Sequence, residues 1–166
     1  MEKHIHRRRE SLPFTRLHLG LRVPLPIRPV RKERMSIRVY IVEDHPVMRE
    51  TLAEFLGMDP EIQVVGAAAG AVEALDGIPS AEPSMVLLDL SLPDQGGLDL
   101  LSIIRERWDL PCLVLTCQSD PGQVDRALVL GARGFLEKGR PREISRALRA
   151  IRDGEVYLSE SLRDRE

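Results

Sequence analysis

Cysteine is almost absent: Cys112 and Cys117 are the only thiols in 166 residues. They fall in and just after one short apolar run, where strand geometry would point them apart, so a disulfide framework is excluded and a reducing cytoplasm is the expected compartment. Long apolar runs are also missing. Pro, Gly or a charged residue interrupts every candidate before the roughly 18–20 residues that a bilayer-crossing helix needs, so no membrane segment is expected. Neither Gly-x-Gly-x-x-Gly nor Gly-x-x-x-x-Gly-Lys-Ser/Thr occurs, which removes the dinucleotide and P-loop nucleotide readings. No internal repeat or low-complexity tract follows Met35, and neither charge dominates overall, with 24 Lys+Arg against 26 Asp+Glu and a net charge of −2. At 43% hydrophobic and 30% charged residues, the composition is that of a globular chain. The length fits one domain of about 100–150 residues with some chain to spare.

The charge is unevenly placed. Residues 1–34 hold ten Lys/Arg and three acids, net +7, whereas the remainder holds 14 basic and 23 acidic residues, net −9. Pro13, Pro24, Pro26 and Pro29 break any period in the first segment, which therefore reads as a basic extension outside the core, expected to be disordered. It lacks a continuous apolar stretch followed by a small-residue cleavage site, which argues against a secretory signal. Because Met35 directly precedes the first strand-like run, residues 1–34 are expected to be an inert upstream extension; the alternative is a nucleic-acid-binding arm.

From Ile37 onward, short apolar runs alternate with amphipathic stretches. Ile37–Val42, Ile62–Ala67, Met85–Leu88, Cys112–Leu115 and Gly134–Leu136 are the predicted strands, several of them apolar at both alternating positions, as strands buried on both faces are. Between them, Val47, Met48, Leu52, Phe55 and Leu56 recur at helical spacing. So do Leu101, Ile104 and Trp108, then Val124, Leu128 and Ala132, then Ile144, Leu148 and Ile151. Ala71–Ile78 gives a shorter helix interrupted by Gly77. Strict β/α alternation implies a doubly wound, five-stranded parallel sheet with helices on both faces, an α/β domain over residues 35–154.

In such sheets ligands bind beyond the carboxyl ends of the strands. The first run ends in Glu43-Asp44, the third in Asp89, the fourth in Thr116, and the fifth is followed by Lys138. Three carboxylates within about 4–5 Å repel by several kcal/mol per pair at an effective dielectric near 20, so the cluster must take up protons or recruit a cation. Mg²⁺, with its preference for one or two carboxylates, a carbonyl and waters, would satisfy it and bridge to phosphate oxygens. The Lys138 ammonium and Thr116 hydroxyl would then neutralise and hydrogen-bond a phosphoryl group, and Asp89 would be its nucleophilic acceptor. Plainer roles exist for each. Asp44 could N-cap the helix that follows, with Pro46 in its first turn; Thr116 and Lys138 could be ordinary strand-end and turn residues.

The segments Ile41-Val42-Glu43-Asp44-His45-Pro46, Val86-Leu87-Leu88-Asp89-Leu90-Ser91-Leu92-Pro93-Asp94 with Gly96-Gly97, Leu113-Val114-Leu115-Thr116 and Gly131-Ala132-Arg133-Gly134-Phe135-Leu136-Glu137-Lys138 together resemble the receiver domain of two-component response regulators. Asp-His-Pro, the Gly-Ala-x-Gly-Phe-Leu run and the lack of Pro after Lys138 resemble its NarL/FixJ-type subfamily. The resemblance implies a flavodoxin-like receiver with strand order 2-1-3-4-5. It implies phosphorylation of Asp89 by a sensor histidine kinase or a small phosphodonor, and Mg²⁺ held directly by Asp44, Asp89 and the backbone carbonyl of Ser91 and through water by Glu43. Thr116 and Lys138 would contact the phosphoryl group, and Thr116 and Phe135 would form the switch, although Phe135 could equally be ordinary core. Ser91, Cys117 and Gln118 occupy positions that tune phosphoryl lifetime, and the bulk of Cys117 would narrow access to Asp89. A homodimer is a candidate assembly.

Residues 155–166 form a tail whose Val156-Tyr157-Leu158-Ser159-Glu160 resembles the start of a linker to a DNA-binding domain. Twelve residues after Gly154 hold no recognition helix, so sequence-specific DNA binding by this chain alone is not expected, and the acidic balance after Met35 agrees. The chain reads as the truncated receiver part of a transcriptional regulator or as a stand-alone receiver. Two other readings compete: a phosphorylation-independent scaffold, and a Mg²⁺-dependent phosphohydrolase. The hydrolase would need a second acid/base two residues beyond Asp89, where Ser91 stands.

Overall fold

The computed structural model describes residues 14–16, 22–24, 36–94, 96–117 and 120–163. Two units emerge, Met1–Arg34 and Met35–Glu166. In the first, β1 (Phe14–Arg16) and β2 (Arg22–Pro24) pair antiparallel. The expectation of a disordered arm otherwise falls outside the described residues.

The second unit is built around one all-parallel sheet. Its elements run β3 (Ile37–Val42), α1 (Pro46–Gly57), β4 (Ile62–Ala68), α2 (Ala71–Ala81), β5 (Met85–Asp89), α3 (Gly97–Trp108) and β6 (Cys112–Thr116), followed by α4 (Pro121–Val129), β7 (Gly134–Glu137), α5 (Pro141–Arg152), β8 (Tyr157–Leu158) and α6 (Glu160–Arg163). The strand order is β4-β3-β5-β6-β7-β8. Its first five strands are the predicted ones, in the order 2-1-3-4-5 implied by the family resemblance. Among the described residues, no helix is long and apolar enough to cross a membrane.

The continuous apolar strand runs follow from burial on both faces. Tyr40, Val42, Val86, Leu88, Val114 and Phe135 form one core with Ala74 and Ile78 of α2, Leu100 and Ile104 of α3, and Val124 and Ala127 of α4. The alternate residues Val39, Ile41, Leu87, Leu113, Leu115 and Leu136 form the other with Leu52 and Leu56 of α1 and Ile144, Leu148 and Ile151 of α5. Each of these buried strand residues is thus claimed by one helical layer or the other. On the α5 side, Arg149 donates from Nε to Glu61 at 2.6 Å and pairs with Asp59, tying that helix to the α1–β4 turn.

Gly77 does not interrupt α2. It admits a neighbour instead: a Cβ there would lie 2.2 Å from the Tyr40 hydroxyl, and one on Gly66 would lie 2.5 Å from the Tyr40 ring. Two glycines therefore make the slot in which the tyrosine side chain of this strand fits. The β3·β4 register shifts between Val39 and Tyr40, placing Tyr40 opposite Gly66. The helix then runs on to Ala81, with Pro79 in its last turn.

A sixth strand, not among those expected, comes from the tail. Tyr157 and Leu158 pair with Gly134 and Phe135, and Ser159 N–H donates to the Phe135 carbonyl at 3.2 Å. Gly154, at φ +93°, turns the chain out of α5, and Leu162 of α6 is buried in the same core as Phe135.

Candidate functional site

Four strand ends converge, as the alternation predicts. Glu43 follows β3, Asp89 ends β5, Thr116 ends β6, and Lys138 follows β7. Glu43 and Asp89 are each 1% exposed, Thr116 is buried, and Asp44 is exposed. Carboxylate oxygens of Glu43, Asp44 and Asp89 lie within 4.8 Å of one another. The Lys138 ammonium stands between two of them, 2.7 Å from Glu43 Oε2 and 2.9 Å from Asp89 Oδ2, with its side chain only 10% exposed. Its backbone N–H donates to the Thr116 carbonyl at 2.7 Å, which fixes Lys138 to the end of the neighbouring strand.

The surrounding backbone holds the acids in place. Ser91 N–H donates to Asp89 Oδ1 at 3.0 Å, and His45 N–H to Glu43 Oε1 at 3.2 Å. Arg49, on α1, donates to the Glu43 carbonyl at 2.7 Å. Gly97 lets α3 start against the strand exit: a Cβ there would lie 2.5 Å from Leu90 Cα and 2.8 Å from the Asp89 carbonyl oxygen. Neither Arg49 nor the closeness required at Gly97 was anticipated. The signals were an arginine one turn into the helix after Glu43-Asp44 and a glycine pair after the Asp89 loop.

The electrostatics fit a charged, desolvated cluster. Burial pushes the Glu43 carboxyl above its ordinary pKa, outweighing the Lys138 hydrogen bond that lowers it, and the Asp89 charge adds to the rise. Burial alone would lower Lys138, but hydrogen bonds and charges from Glu43 and Asp89 outweigh it and raise its pKa. The set is oxygen-only, acidic and partly open through Asp44, which suits a hard divalent cation rather than zinc or a softer metal.

One predicted role is corrected. The N-cap of α1 is His45, not Asp44; His45 sits at φ −77°, ψ 112°, and its Nδ1 accepts from Met48 N–H at 3.3 Å. The cause is Pro46: a residue before proline is pushed into extended backbone, the conformation an N-cap needs. Asp44 is thereby left to the acidic cluster.

Phe135 is fully buried, its ring in the α4-side core with Val124, Ala127 and Leu162. Ser91 is exposed in the loop after Asp89, Cys117 is exposed just beyond Thr116, and Gln118 lies outside the described residues. Both cysteines are free, and burial pushes the Cys112 thiol up to about 12. Alkylation of the native protein near neutral pH is therefore expected to add a single adduct, at Cys117, with Cys112 reacting only after unfolding; intact-mass and peptide analysis would read this directly.

Residues 39–149 match the response regulator receiver domain. The chain belongs to this family. The receiver is 38% identical over 125 residues to the DNA-binding transcriptional activator DevR/DosR of Mycobacterium tuberculosis, covering 74% of this chain and 57% of that protein. It is 32% identical over 126 residues to the nitrate/nitrite response regulator protein NarL of Escherichia coli, covering 75% and 58%. These relatives support the NarL/FixJ-type subfamily, and the chain spans somewhat over half of their length. Among solved structures, the isolated receiver domain of RcsB from Salmonella enterica serovar Typhimurium, determined with phosphomimetic BeF3-, superposes with a TM-score of 0.73 at 25% identity, covering 78% of this chain and 97% of that one.

Proposed function

We propose that the receiver takes part in phosphorelay signalling by accepting a phosphoryl group on Asp89 from a sensor histidine kinase. The observation that carries this reading is the pairing of one ammonium, Lys138, with two buried carboxylates, Glu43 and Asp89, beside a third, Asp44. A carboxylate oxygen of Asp89 attacks the phosphorus, and the bond from phosphorus to the donor nitrogen or oxygen breaks. Lys138 and the Thr116 hydroxyl donate to the phosphoryl oxygens. Glu43, Asp44, Asp89 and the Ser91 carbonyl would hold Mg²⁺, which, when bound, supplies charge neutralisation of the entering phosphoryl group.

Beyond acquiring and losing that group, the chain is assigned no enzymatic activity. Thr116 and Phe135 are the proposed switch, with Ser91, Cys117 and Gln118 setting the lifetime of the phosphorylated form. The proposed output is a switched receiver surface read by a second copy or by a DNA-binding domain of a transcriptional regulator, and the proposed setting is a cytoplasmic transcriptional pathway. Residues 1–34, 35–154 and 155–166 are proposed as extension, receiver and linker-like tail.

The test is intact-mass analysis after incubation with a small phosphodonor, with Mg²⁺ or with chelator. One Mg²⁺-dependent phosphoryl addition is expected. No addition to folded protein would withdraw the reading and favour a phosphorylation-independent scaffold.

A further inference from the structure

The N-cap of α2 is Gly70, which has no side chain with which to cap the helix. Its first free N–H groups are met from elsewhere in the chain. Ala71 N–H donates to Asp94 Oδ1 and Val72 N–H to Asp94 Oδ2, each at 3.1 Å. Asp94 lies in the loop between β5 and α3, five positions beyond Asp89. The fit is close: a Cβ on Gly70 would stand 2.7 Å from Asp94 Oδ2, so the missing side chain makes room for the distant carboxylate. Glu73, on α2 itself, takes only the Ala69 N–H, at 2.7 Å. A carboxylate at a helix N-terminus is favoured both by the open N–H groups and by the helix dipole.

Other backbone ties among the described residues hold this loop at its two ends. At its start, Leu90 N–H donates to the Leu115 carbonyl at 3.2 Å and Ser91 N–H to Asp89 Oδ1 at 3.0 Å. At its finish, Gly97 N–H donates to the Leu90 carbonyl at 3.3 Å. Between them, Leu92 packs partly against the core, and Pro93, with its fixed φ, passes any restraint at Asp94 back toward Ser91. The carboxylate thus acts where the loop has no strand or helix of its own to hold it.

We propose that Asp94 is a positioning residue, which by capping α2 across the chain holds the Asp89–Gly97 loop in the geometry that cation binding and phosphoryl uptake require. The inference rests on the phosphoacceptor reading above and adds a residue to it. Partners that orient a metal's direct ligands typically contribute about 10–100-fold to affinity or activity.

The experiment separates the tether from helix stability. Asp94→Ala is expected to lower Tm, weaken Mg²⁺ binding by titration calorimetry about tenfold, and slow phosphoryl uptake by a similar factor. Adding Gly70→Asp, which the lost carboxylate leaves room for, supplies a local cap. The double variant is expected to regain Tm but neither Mg²⁺ affinity nor rate. Recovery of all three together, or no change in affinity and rate with Asp94→Ala, would overturn the proposal. Glu73→Ala gives the same comparison if the local cap does not restore Tm, since it removes a bond from the same helix end without touching the loop. It is expected to leave affinity and rate unchanged, and a loss equal to that of Asp94→Ala would overturn the tether. Failure of the wild type to bind Mg²⁺ and take up phosphoryl would instead overturn the reading beneath it.

Discussion

Asp89→Asn is expected to abolish phosphoryl uptake while leaving the cation-free protein at least as stable as the wild type. The first half follows from chemistry, because a neutral amide oxygen does not displace a leaving group from phosphorus and the variant offers no other buried carboxylate paired with Lys138 except Glu43. The second follows from Coulomb's law. Carboxylate oxygens of Glu43, Asp44 and Asp89 lie within 4.8 Å of one another. Each like-charge pair at that range costs on the order of 3 kcal/mol at an effective dielectric near 20, and a single ammonium cannot offset every pair. An asparagine oxygen still accepts from Ser91 N–H, so the loop bond at 3.0 Å survives while one negative charge disappears. Thermal melts in chelator are expected to show an unchanged or higher Tm, and the rise in Tm on adding Mg²⁺ is expected to shrink. Wild-type protein at a Mg²⁺ concentration a hundred times its Kd would gain about 2.7 kcal/mol, most of which the variant should lack. Phosphoryl uptake persisting in the variant would place the acceptor elsewhere.

The features legible in the sequence were those written in periodicity and in strand ends. Runs such as Val86-Leu87-Leu88 are apolar at every position because consecutive residues serve opposite helical layers, and that pattern alone gives a parallel sheet with its ligand rim at the carboxyl ends. Glu43, Asp89, Thr116 and Lys138 were found by that rule. Features set by pairs far apart in the chain were not legible. Nothing near Gly77 announces that it accommodates Tyr40, and nothing near Gly70 announces that Asp94 caps its helix. The strand Tyr157–Leu158 is too short to show a period, and its partner, β7, is named only by topology. Local rules can also compete. Asp is the better N-cap by type, but Pro46 fixed the cap one residue later, at His45.

Lys138→Met is expected to destabilise the cation-free protein by about 3 kcal/mol near neutral pH, because removing one partner of a buried ion pair leaves the other charge uncompensated. Methionine keeps most of the aliphatic stem, so the change falls chiefly on Glu43 Oε2 and Asp89 Oδ2, which lose the ammonium at 2.7 and 2.9 Å. The pH dependence has a definite sign. Glu43 already titrates above its ordinary value because of burial, and Lys138, more than the His45 N–H, holds it down. Without that ammonium its folded pKa rises further, so the folded variant binds a proton more readily than the unfolded chain does. A group of this kind disfavours folding progressively as pH climbs from the unfolded carboxylate value, about 4.3, through the raised folded value. The raised pKa of Lys138 means that, in the wild type, its stabilisation is fully present below the unfolded lysine value of about 10.4. The gap between the two proteins should therefore narrow on acidification toward pH 4, as Glu43 takes up its proton in both, and be widest from neutrality up to mildly alkaline pH, as measured by urea unfolding in chelator. Mg²⁺ should narrow the gap at neutral pH by supplying the positive charge that the variant lost. A gap constant from pH 4 to pH 8 and indifferent to Mg²⁺ would instead assign the loss to packing of the lysine stem, and the carboxylate pair would not be what Lys138 stabilises.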